Sequence, residues 1–403
     1  MAIGDELTSG QRVDTNSAWL SQQLGSVGIP VGFHTTVSDD VTGLGDALRI
    51  ALGRANVVIC TGGLGPTADD LTRQALGDAT GRPLQLDEDS LTHIRGLFES
   101  RGREMPERNQ GQAMFPQGSR VVANPHGTAP GIDLSVSTDN HASRIFCLPG
   151  VPAEMREMWD GTVCPELKKA GLANEVIIHH RIKCFGIGES DMERRLPDLI
   201  ARGREPSVGI TVHKATITLR ITAKGKDEAK CRQAMQPTIA MIHDCLGSLV
   251  YGEEDDEVQD AVIRELAAKN QSVTTVEWGT PGVLARWLRE ADHGGQCYSG
   301  GLVLSQSQLD VGNLEDPDPM LERMITSAAE KAREQNPATY GLAVGPIDME
   351  RTRDPNAKLW LGLASPEEST AVAVRFAGHP DIVMERSAKQ ALNLLRLRLV
   401  ETS

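Results

Sequence analysis

Short aliphatic runs alternate with amphipathic helix patterns over the first part of the chain. A helix is predicted over residues 15–27, and residues 56–60 form an aliphatic run of strand length. This run leads into the glycine-rich residues 61–67, after which a helix is predicted to begin at Asp69 and Asp70. The pattern is therefore strand, glycine loop and helix.

A second unit of this kind lies further along the chain. Residues 144–148 form an aliphatic strand pattern, residues 149–151 a turn, and Pro152 lies near the start of the next helix, where proline is common. Strands that alternate with helices form parallel sheets, and ligands bind at the carboxyl ends of such strands. We therefore expect an α/β domain with a parallel sheet and a ligand site in the loops after these strands.

The pattern changes in the middle of the chain. Residues 175–183 form one strand pattern, and residues 216–222 alternate with period two, as an antiparallel strand does, so a small α+β domain is predicted. The acidic residues 253–257 either mark its boundary or solvate the start of the next helix. A third α/β domain follows and ends in a periodic helix over residues 388–399. The predicted domains are residues 1–170, 171–252 and 253–403.

Composition and charge narrow the possible ligands. Hydrophobic residues make up 39% of the chain but aromatic residues only 3%, so the cores must consist of aliphatic side chains, which suits a layered α/β architecture. The net charge is −14 and no run is dense in lysine or arginine, which argues against a nucleic-acid partner. A small phosphorylated ligand remains compatible, because backbone amides and a metal ion can bind it locally.

Cysteine usage and the absence of long apolar runs predict a cytoplasmic protein. The seven cysteines are scattered, odd in number and without a CxxC pair, which is typical of reduced thiols. No run of about 18 apolar residues exists, so no membrane span is expected. We also expect no signal peptide, because the first residues have neither a basic region nor an apolar core.

The glycine loop is a candidate phosphate site. Gly62, Gly63 and Gly65 let the backbone approach a ligand closely, and loop amides at a helix N-terminus favour an anion. The spacing matches neither the P-loop nor the dinucleotide-binding motif. Because a tight strand-to-helix turn also needs glycine, these residues alone leave a phosphate site and a plain turn equally open.

Carboxylates near this loop point to a metal ion. Asp69 and Asp70 lie beside the loop, and Asp5 and Glu6 follow the first strand. One of Asp69 and Asp70 is expected to cap the helix, but two caps are not needed. Carboxylates next to a phosphate repel it unless a divalent cation lies between them, and Mg²⁺-type ions prefer such oxygen ligands. Such an ion can polarise a phosphoryl oxygen and activate water.

Five segments occur in the order and spacing of the CinA (competence/damage-inducible) proteins, and the first 250 residues closely resemble that family. The resemblance implies an N-terminal domain similar to the molybdopterin-binding domains of molybdenum-cofactor synthesis, a small α+β middle domain, an α/β amidase-like C-terminal domain and a homodimer. One departure is that only three residues precede Gly4, so either the first strand is short or the start site is misplaced. The matching segments are residues 4–7, 14–16, 62–72, 124–131 and 148–155, with residues 186–190 in the middle domain.

The resemblance further implies a metal-dependent ADP-ribose pyrophosphatase. The expected cofactor is a divalent ion (Mg²⁺, Mn²⁺ or Co²⁺), with a monovalent cation as an additional candidate, and the expected ligand is a small phosphorylated nucleotide. Gln112 and His126 are weaker candidates for the same pocket. Catalysis is assigned to Asp69 and Asp70, metal binding to Asp5, Glu6 and Asp70, and phosphate or nucleotide binding to Gly62, Gly63, Leu64, Gly65, Pro66, Thr67, Asn109, Asn124, Gly127 and Thr128.

The C-terminal domain departs from its family's nicotinamide-nucleotide amidase signature, Glu-Ser-Cys-Thr-Gly-Gly. The matching stretch begins Glu277-Trp278-Gly279-Thr280, with tryptophan in place of the nucleophilic serine, and Ser305 and Asp310 stand where the family has tyrosine and lysine. Deamidation of nicotinamide mononucleotide is therefore predicted to be lost, although Ser299 or Ser305 could be proposed as substitute nucleophiles without an apparent base. Two alternatives to the pyrophosphatase stay open: a non-catalytic nucleotide- or pterin-binding protein, and an amidase with a rearranged site.

Overall fold

The computed structural model divides into two compact units. The first comprises residues 1–178 and 224–231, and the second residues 179–223 and 232–403. No helix in the described part of the chain is long and apolar enough to cross a membrane. None of the seven cysteines forms a disulfide. The structure describes residues 1–138, 141–173, 175–196, 198–201, 203–304, 318–347, 349, 357–376 and 379–401.

The first unit contains a six-stranded sheet in the order β2-β1-β3-β8-β7-β6 and a two-stranded ladder of β4 and β5. In chain order the elements are β1 (Ala2–Ile3), α1 (Asp5–Thr8), α2 (Thr15–Ser26), β2 (Thr36–Val37), α3 (Val41–Arg54), β3 (Val57–Thr61), α4 (Thr72–Thr80), β4 (Leu84–Leu86), α5 (Glu88–Glu99), a 3₁₀ helix (Glu107–Ala113), β5 (Met114–Pro116), β6 (Arg120–Val122), β7 (Gly131–Thr138), β8 (His141–Leu148), α6 (Pro152–Met158), a π-helical turn (Trp159–Val163) and α7 (Cys164–Lys169).

The sheet of the first unit is buried on both faces. Strands β2, β1, β3 and β8 are mutually parallel, as the alternating pattern predicted, whereas β7 and β6 continue the sheet in antiparallel pairing. Successive side chains of a strand point to opposite faces. Accordingly, Ile145 of β8 packs in the apolar cluster with Leu48 of α3, and its neighbour Phe146 packs in the one with Leu20 of α2 and Trp159. The predicted α/β fold with parallel strands is confirmed.

Strand β1 is two residues long. It pairs with β2 through Ala2 and Ile3, but with β3 only through Ala2. The ammonium group of Met1 donates a hydrogen bond to the Ile59 carbonyl at 2.6 Å. Beside it lies a cavity of about 490 Å³, lined by Met1, the start of β3 and residues 28–35. This cavity lies at the amino ends of the strands, so it is separate from the loops that follow them.

A four-stranded sheet in the order β10-β11-β9-β12 forms the middle part of the chain. The whole of β10 pairs antiparallel with residues 216–222 of β11, as the period-two pattern predicted. The acidic residues 253–257 continue into the next helix, where Glu257 and Asp260 form a reciprocal capping box. The elements are β9 (Val176–Cys184), α8 (Glu189–Arg195), β10 (Ser207–His213), β11 (Thr216–Gly225), α9 (Glu228–Leu246) and β12 (Val250–Glu253).

The C-terminal part contains a five-stranded sheet in the order β14-β13-β15-β16-β17. Strand β13 pairs in parallel with β14 and β15, whereas β16 pairs antiparallel with both β15 and β17. Apolar side chains of the final helix, including Leu392 and Leu395, lie in the main core cluster of this part, so the periodic C-terminal helix is confirmed. The elements are α10 (Val258–Ala268), β13 (Val273–Trp278), α11 (Val283–Ala291), β14 (Tyr298–Leu304), α12 (Asp318–Gln335), β15 (Tyr340–Val344), β16 (Lys358–Ala364), β17 (Ser369–Arg375) and α13 (Pro380–Glu401).

Candidate functional site

The glycine loop after β3 is packed tightly at its start. Gly62 and Gly63 both have positive φ angles, 107° and 65°, which side chains other than glycine rarely adopt. A Cβ at Gly62 would lie 2.3 Å from the Ile3 carbonyl oxygen, and one at Gly63 2.2 Å from the Thr72 hydroxyl oxygen. Glycine is therefore needed at both positions by packing and backbone conformation alone.

Asp70 closes the glycine loop instead of capping the following helix. Its carboxylate accepts hydrogen bonds from the backbone amides of Gly65 (2.7 Å) and Thr67 (2.8 Å) and from the Thr67 hydroxyl. Helix α4 begins at Thr72, with Leu71 as its N-cap, so the predicted helix start at Asp69 and Asp70 is wrong. Two loop amides expected to bind phosphate are thus occupied by a carboxylate of the protein itself.

A group of carboxylates lies at the ends of β1 and β2 and beside the glycine loop. The amide of Asp5 donates to the Asp39 carboxylate at 2.9 Å, and the amide of Asp39 donates to the Asp5 carboxylate at 3.1 Å. Burial raises the pKa of Asp39, the negative charges of Asp5, Asp69 and Glu6 raise it further, and the hydrogen bond from the Asp5 amide opposes them. Like charges are therefore gathered where the parallel strands end.

Asp39 belongs to this group of carboxylates but was not among the residues predicted from the sequence. It follows β2, which is only two residues long and too short for its hydrophobic pattern to stand out. The sequence feature that could have indicated Asp39 is a carboxylate shortly after a run of β-branched residues, here Thr35, Thr36 and Val37. In a parallel sheet, such a position falls at the same edge as the glycine loop.

The carboxylates suit a divalent cation by chemistry, since hard cations such as Mg²⁺ take oxygen ligands. In the part of the chain that the structure describes, however, no three acidic, histidine or cysteine side chains converge on one point as a ligand set. Asp5, Glu6 and Asp69 are exposed, and the carboxylate of Asp70 faces the loop amides. The metal and catalytic roles of these residues stay predictions.

Buried side-chain donors bind the glycine loop on the side that faces the domain core. The Leu64 carbonyl accepts hydrogen bonds from Arg73 Nη1 (2.8 Å) and Gln112 Nε2 (3.2 Å), and Asn109 Nδ2 donates to Gln112 Oε1 at 2.8 Å. Arg73 Nη2 also donates to the Pro130 carbonyl at 3.0 Å, and burial lowers the pKa of Arg73 to about 10. Leu64 and Asn109, both predicted to touch the ligand, therefore lie inside the domain and support the loop.

The loop of residues 124–130 is organised by Asn124, which is buried. Its amide nitrogen donates to the Ala129 carbonyl (3.0 Å) and the Glu154 carboxylate (2.8 Å), and its side-chain oxygen accepts the Gly127 amide at 2.9 Å. Gly127 is buried as well, whereas Thr128 is half-buried. Asn124 thus shapes this loop through its own hydrogen bonds, and contact of these residues with a ligand stays a prediction.

The ends of β3 and β8 are joined by a small polar network. Asn16 Nδ2 donates to the Thr61 hydroxyl (3.1 Å) and to the Gly150 carbonyl (2.9 Å), and the Thr61 hydroxyl donates to the Pro149 carbonyl at 2.9 Å. Asn16 lies in the first turn of α2. The matching segment of residues 14–16 therefore links this helix to both strand ends.

The C-terminal candidate site holds a structural carboxylate. Glu277 is fully buried and accepts hydrogen bonds from the Thr280 hydroxyl (2.8 Å) and the amides of Leu284 (3.1 Å) and Ala285 (2.8 Å), at the start of α11. Trp278 and Thr280 are buried too. Ser299 is exposed on β14, and its hydroxyl donates to the Pro337 carbonyl at 3.5 Å. Ser305 and Asp310 lie outside the described residues.

Comparisons with known proteins cover nearly the whole chain. Family profiles match residues 1–169 as "Probable molybdopterin binding domain", residues 179–252 as "Damage-inducible protein CinA KH domain" and residues 255–399 as "CinA C-terminal domain". A "Putative competence-damage inducible protein" of Caldicellulosiruptor saccharolyticus is 32% identical over 412 residues, covering 99% of this chain and 98% of that protein.

Further similar proteins carry related names. The Bacillus subtilis "Putative competence-damage inducible protein" is 31% identical, covering 100% of this chain and 97% of that protein. The "CinA-like protein" of Frankia casuarinae is 32% identical, covering 99% of this chain and 95% of that protein. Among solved structures, CinA from Thermoplasma acidophilum is 32% identical over 42% of this chain and 94% of that one, with a TM-score of 0.37.

Proposed function

The chain belongs to the CinA family, and from this premise we propose that its molybdopterin-binding-like domain hydrolyses the pyrophosphate of ADP-ribose, or of a related nucleotide diphosphate, with a divalent metal ion. The products from ADP-ribose would be AMP and ribose 5-phosphate. The observation that carries this proposal is the group of carboxylates, including the mutually bonded Asp5 and Asp39, beside the glycine loop.

The proposal assigns a role to each group at this edge of the sheet. Asp5, Glu6, Asp39 and Asp69 would hold the cation, because their like charges are gathered where a cation would relieve repulsion. A bound divalent ion supplies polarisation of a phosphoryl oxygen and a water of lowered pKa. Residues 62–67 would approach the phosphates with their backbone. An anion entering the amides of this loop competes with the Asp70 carboxylate that now occupies two of them.

A second candidate is a protein that binds a nucleotide or pterin without turnover. The engagement of Asp70 favours it, because a carboxylate held by three loop donors is less available to a metal ion or to water. The two candidates share the binding site and differ only in whether the bound ligand is cleaved. Product analysis therefore separates them.

For the C-terminal domain we propose a loss of deamidase activity. The supporting observation is that the buried Glu277 is used to cap α11, while Trp278 fills the position of the family's nucleophile. The hydroxyl of Thr280 donates to Glu277 and is buried, so it is not presented to a substrate. An amidase with a rearranged site would have to rely on an exposed serine such as Ser299.

The test incubates purified protein with ADP-ribose, with and without Mg²⁺, Mn²⁺ or Co²⁺, and quantifies AMP and ribose 5-phosphate. We expect turnover only with a divalent ion and at least about a 10-fold loss in Asp5→Asn. Asp40→Asn is the matched control, because Asp40 is a nearby carboxylate that caps α3 through the Gly43 amide, a role asparagine also fills. Binding of ADP-ribose without any cleavage would support the second candidate instead.

A further inference from the structure

The Leu64 carbonyl is unusual among the groups of the glycine loop in receiving two buried side-chain donors. Arg73 Nη1 and Gln112 Nε2 both donate to it, at 2.8 and 3.2 Å. Arg73 and Gln112 are 5% and 1% exposed, so water does not compete for this carbonyl. The orientation of the Leu64–Gly65 peptide is therefore set by these two side chains.

The orientation of the Leu64 carbonyl also fixes the direction of the Gly65 N–H on the other side of the loop. In a planar trans peptide, the carbonyl and the following N–H point in opposite directions. A Leu64 carbonyl held inward thus aims the Gly65 N–H away from the core, where it donates to Asp70 Oδ1 at 2.7 Å. A Cβ at Gly65 would lie 2.4 Å from the Asp70 carboxylate, so the two groups are in close contact.

The second arm of Arg73 reaches the neighbouring loop. Its Nη2 donates to the Pro130 carbonyl at 3.0 Å, at the end of the loop organised by Asn124. The Arg73 guanidinium also lies over the Phe115 ring, with 6.0 Å between Cζ and the ring centroid, and its Nε has no hydrogen-bond partner within the described residues. Burying a guanidinium whose hydrogen bonds go to carbonyl groups is costly. Such a residue contributes geometry more than net stability.

We propose that Arg73, assisted by Gln112, is a positioning residue that fixes the Gly65 amide and through it the carboxylate of Asp70, while tying the glycine loop to the loop of residues 124–130. This inference rests on the proposed function, because it assigns Arg73 to the same site. Arg73 lies behind the loop and acts through the peptide, so it needs no contact with substrate.

The test uses Arg73→Lys and Gln112→Leu in the full-length protein. Lysine keeps the charge but not the planar two-armed geometry, so it cannot satisfy both carbonyls as arginine does. We expect kcat for ADP-ribose to fall by roughly 10- to 100-fold in Arg73→Lys, because the loop amides that would face the phosphates are misplaced, with KM changing less than about 3-fold. Gln112→Leu removes one of the two donors to the Leu64 carbonyl, together with the acceptor of the Asn109 amide, and adds no charge. Because Arg73 still holds the carbonyl, a smaller loss of kcat is expected.

Arg82→Lys is the matched control. Arg82 also donates to two backbone carbonyls, those of Gln117 (3.1 Å) and Ser135 (2.9 Å), but neither belongs to the glycine loop. We expect it to lower the melting temperature without lowering kcat. An equal loss of kcat in Arg82→Lys and Arg73→Lys would overturn the proposal, because the effect would then follow stability and not position.

Hydrogen exchange gives a readout that does not depend on any substrate. In Arg73→Lys the amides of Gly65 and Thr67 should exchange faster than in the wild type, whereas in Arg82→Lys they should not. If the wild type fails to cleave ADP-ribose, the proposed function fails, and this exchange comparison still decides the role of Arg73. Unchanged exchange at Gly65 and Thr67 in both Arg73→Lys and Gln112→Leu would overturn it.

Discussion

At the scale of single residues, the carboxylates of the N-terminal site serve two different purposes. Asp70 accepts amides of the glycine loop and so holds the backbone in place. Burial raises the pKa of Asp39, and the like charges around it raise that pKa further. A group that stabilises a loop and a group that is strained by its neighbours should respond in opposite ways to neutralisation. The strained group is the better indicator of a cation site.

Neutralising Asp39 should make the protein more stable and less active. A raised folded-state pKa means that the fold favours the protonated carboxyl group over the ionised one. The stability that the protonated group contributes is therefore lost as the pH rises through that pKa. In metal-free buffer at pH 8, Asp39→Asn should raise the melting temperature by about 1–3 °C, since a partly exposed charge contact amounts to less than about 1 kcal/mol. ADP-ribose turnover with metal should fall.

The pH series supplies the internal check for Asp39→Asn. Below about pH 3, where the wild-type carboxyl is protonated in both states, the difference in melting temperature should vanish. Glu6→Gln is a useful companion, because removing one of the charges that raise the pKa of Asp39 should stabilise in the same direction. A lower melting temperature for Asp39→Asn at pH 8 would show that its hydrogen bond with Asp5 outweighs the repulsion.

At the scale of elements, the strands with long aliphatic patterns were predictable and the short ones were not. The patterns at residues 56–60 and 144–148 correspond to β3 and β8. Strand β2 has two residues, and β7 could not be assigned by pattern alone, because its antiparallel place in the sheet depends on β8. The start of α4 was misjudged because a side chain, Asp70, bonds loop amides that lie before it in the chain. Such contacts depend on the turn geometry, which the residue types do not specify.

An ion network joins α7 to the antiparallel half of the sheet. Glu166 of α7 accepts hydrogen bonds from Arg144 of β8 (2.7 Å) and Arg120 of β6 (2.8 Å), and Arg144 also pairs with Asp133 of β7. Arg144, and then Arg120, lower the pKa of Glu166 from its ordinary 4.5 to about 2. Four elements therefore share one set of charges.

Replacing Glu166 with glutamine should make stability less sensitive to acid. A carboxyl with a depressed folded-state pKa adds stability above its unfolded pKa and loses it as the pH falls through the folded value. Glu166→Gln should thus melt below the wild type at pH 7, and the gap should close between pH 4.5 and about 2. Glu157→Gln is the control, because Glu157 is exposed and pairs with the exposed His126, at 3.4 Å between Oε1 and Nε2. A gap that stays constant over this pH range would assign the effect to packing and not to charge.

At the scale of the whole molecule, the N-terminal and C-terminal domains differ in how the polar residues of their candidate sites are used. The N-terminal domain keeps the carboxylates and the glycine loop together at one edge of its sheet. The described residues of the C-terminal domain contain a five-stranded sheet, yet the buried Glu277 serves to cap a helix. The family of each domain could be predicted from sequence motifs. The role of each polar residue could not, because that role depends on hydrogen-bond partners that only the structure gives.

The full-length protein should therefore release no ammonia from nicotinamide mononucleotide, and Trp278→Ser should not restore this activity. A serine at position 278 would still lack a base, because the neighbouring carboxylate of Glu277 already accepts three donors. Removing a buried indole also leaves a cavity that costs about 3–5 kcal/mol, so a melting curve must accompany the assay. Steady deamidation by the wild type would contradict the prediction. Its disappearance in Ser299→Ala, but not in Thr280→Val, would then identify an exposed serine as the nucleophile of a rearranged site.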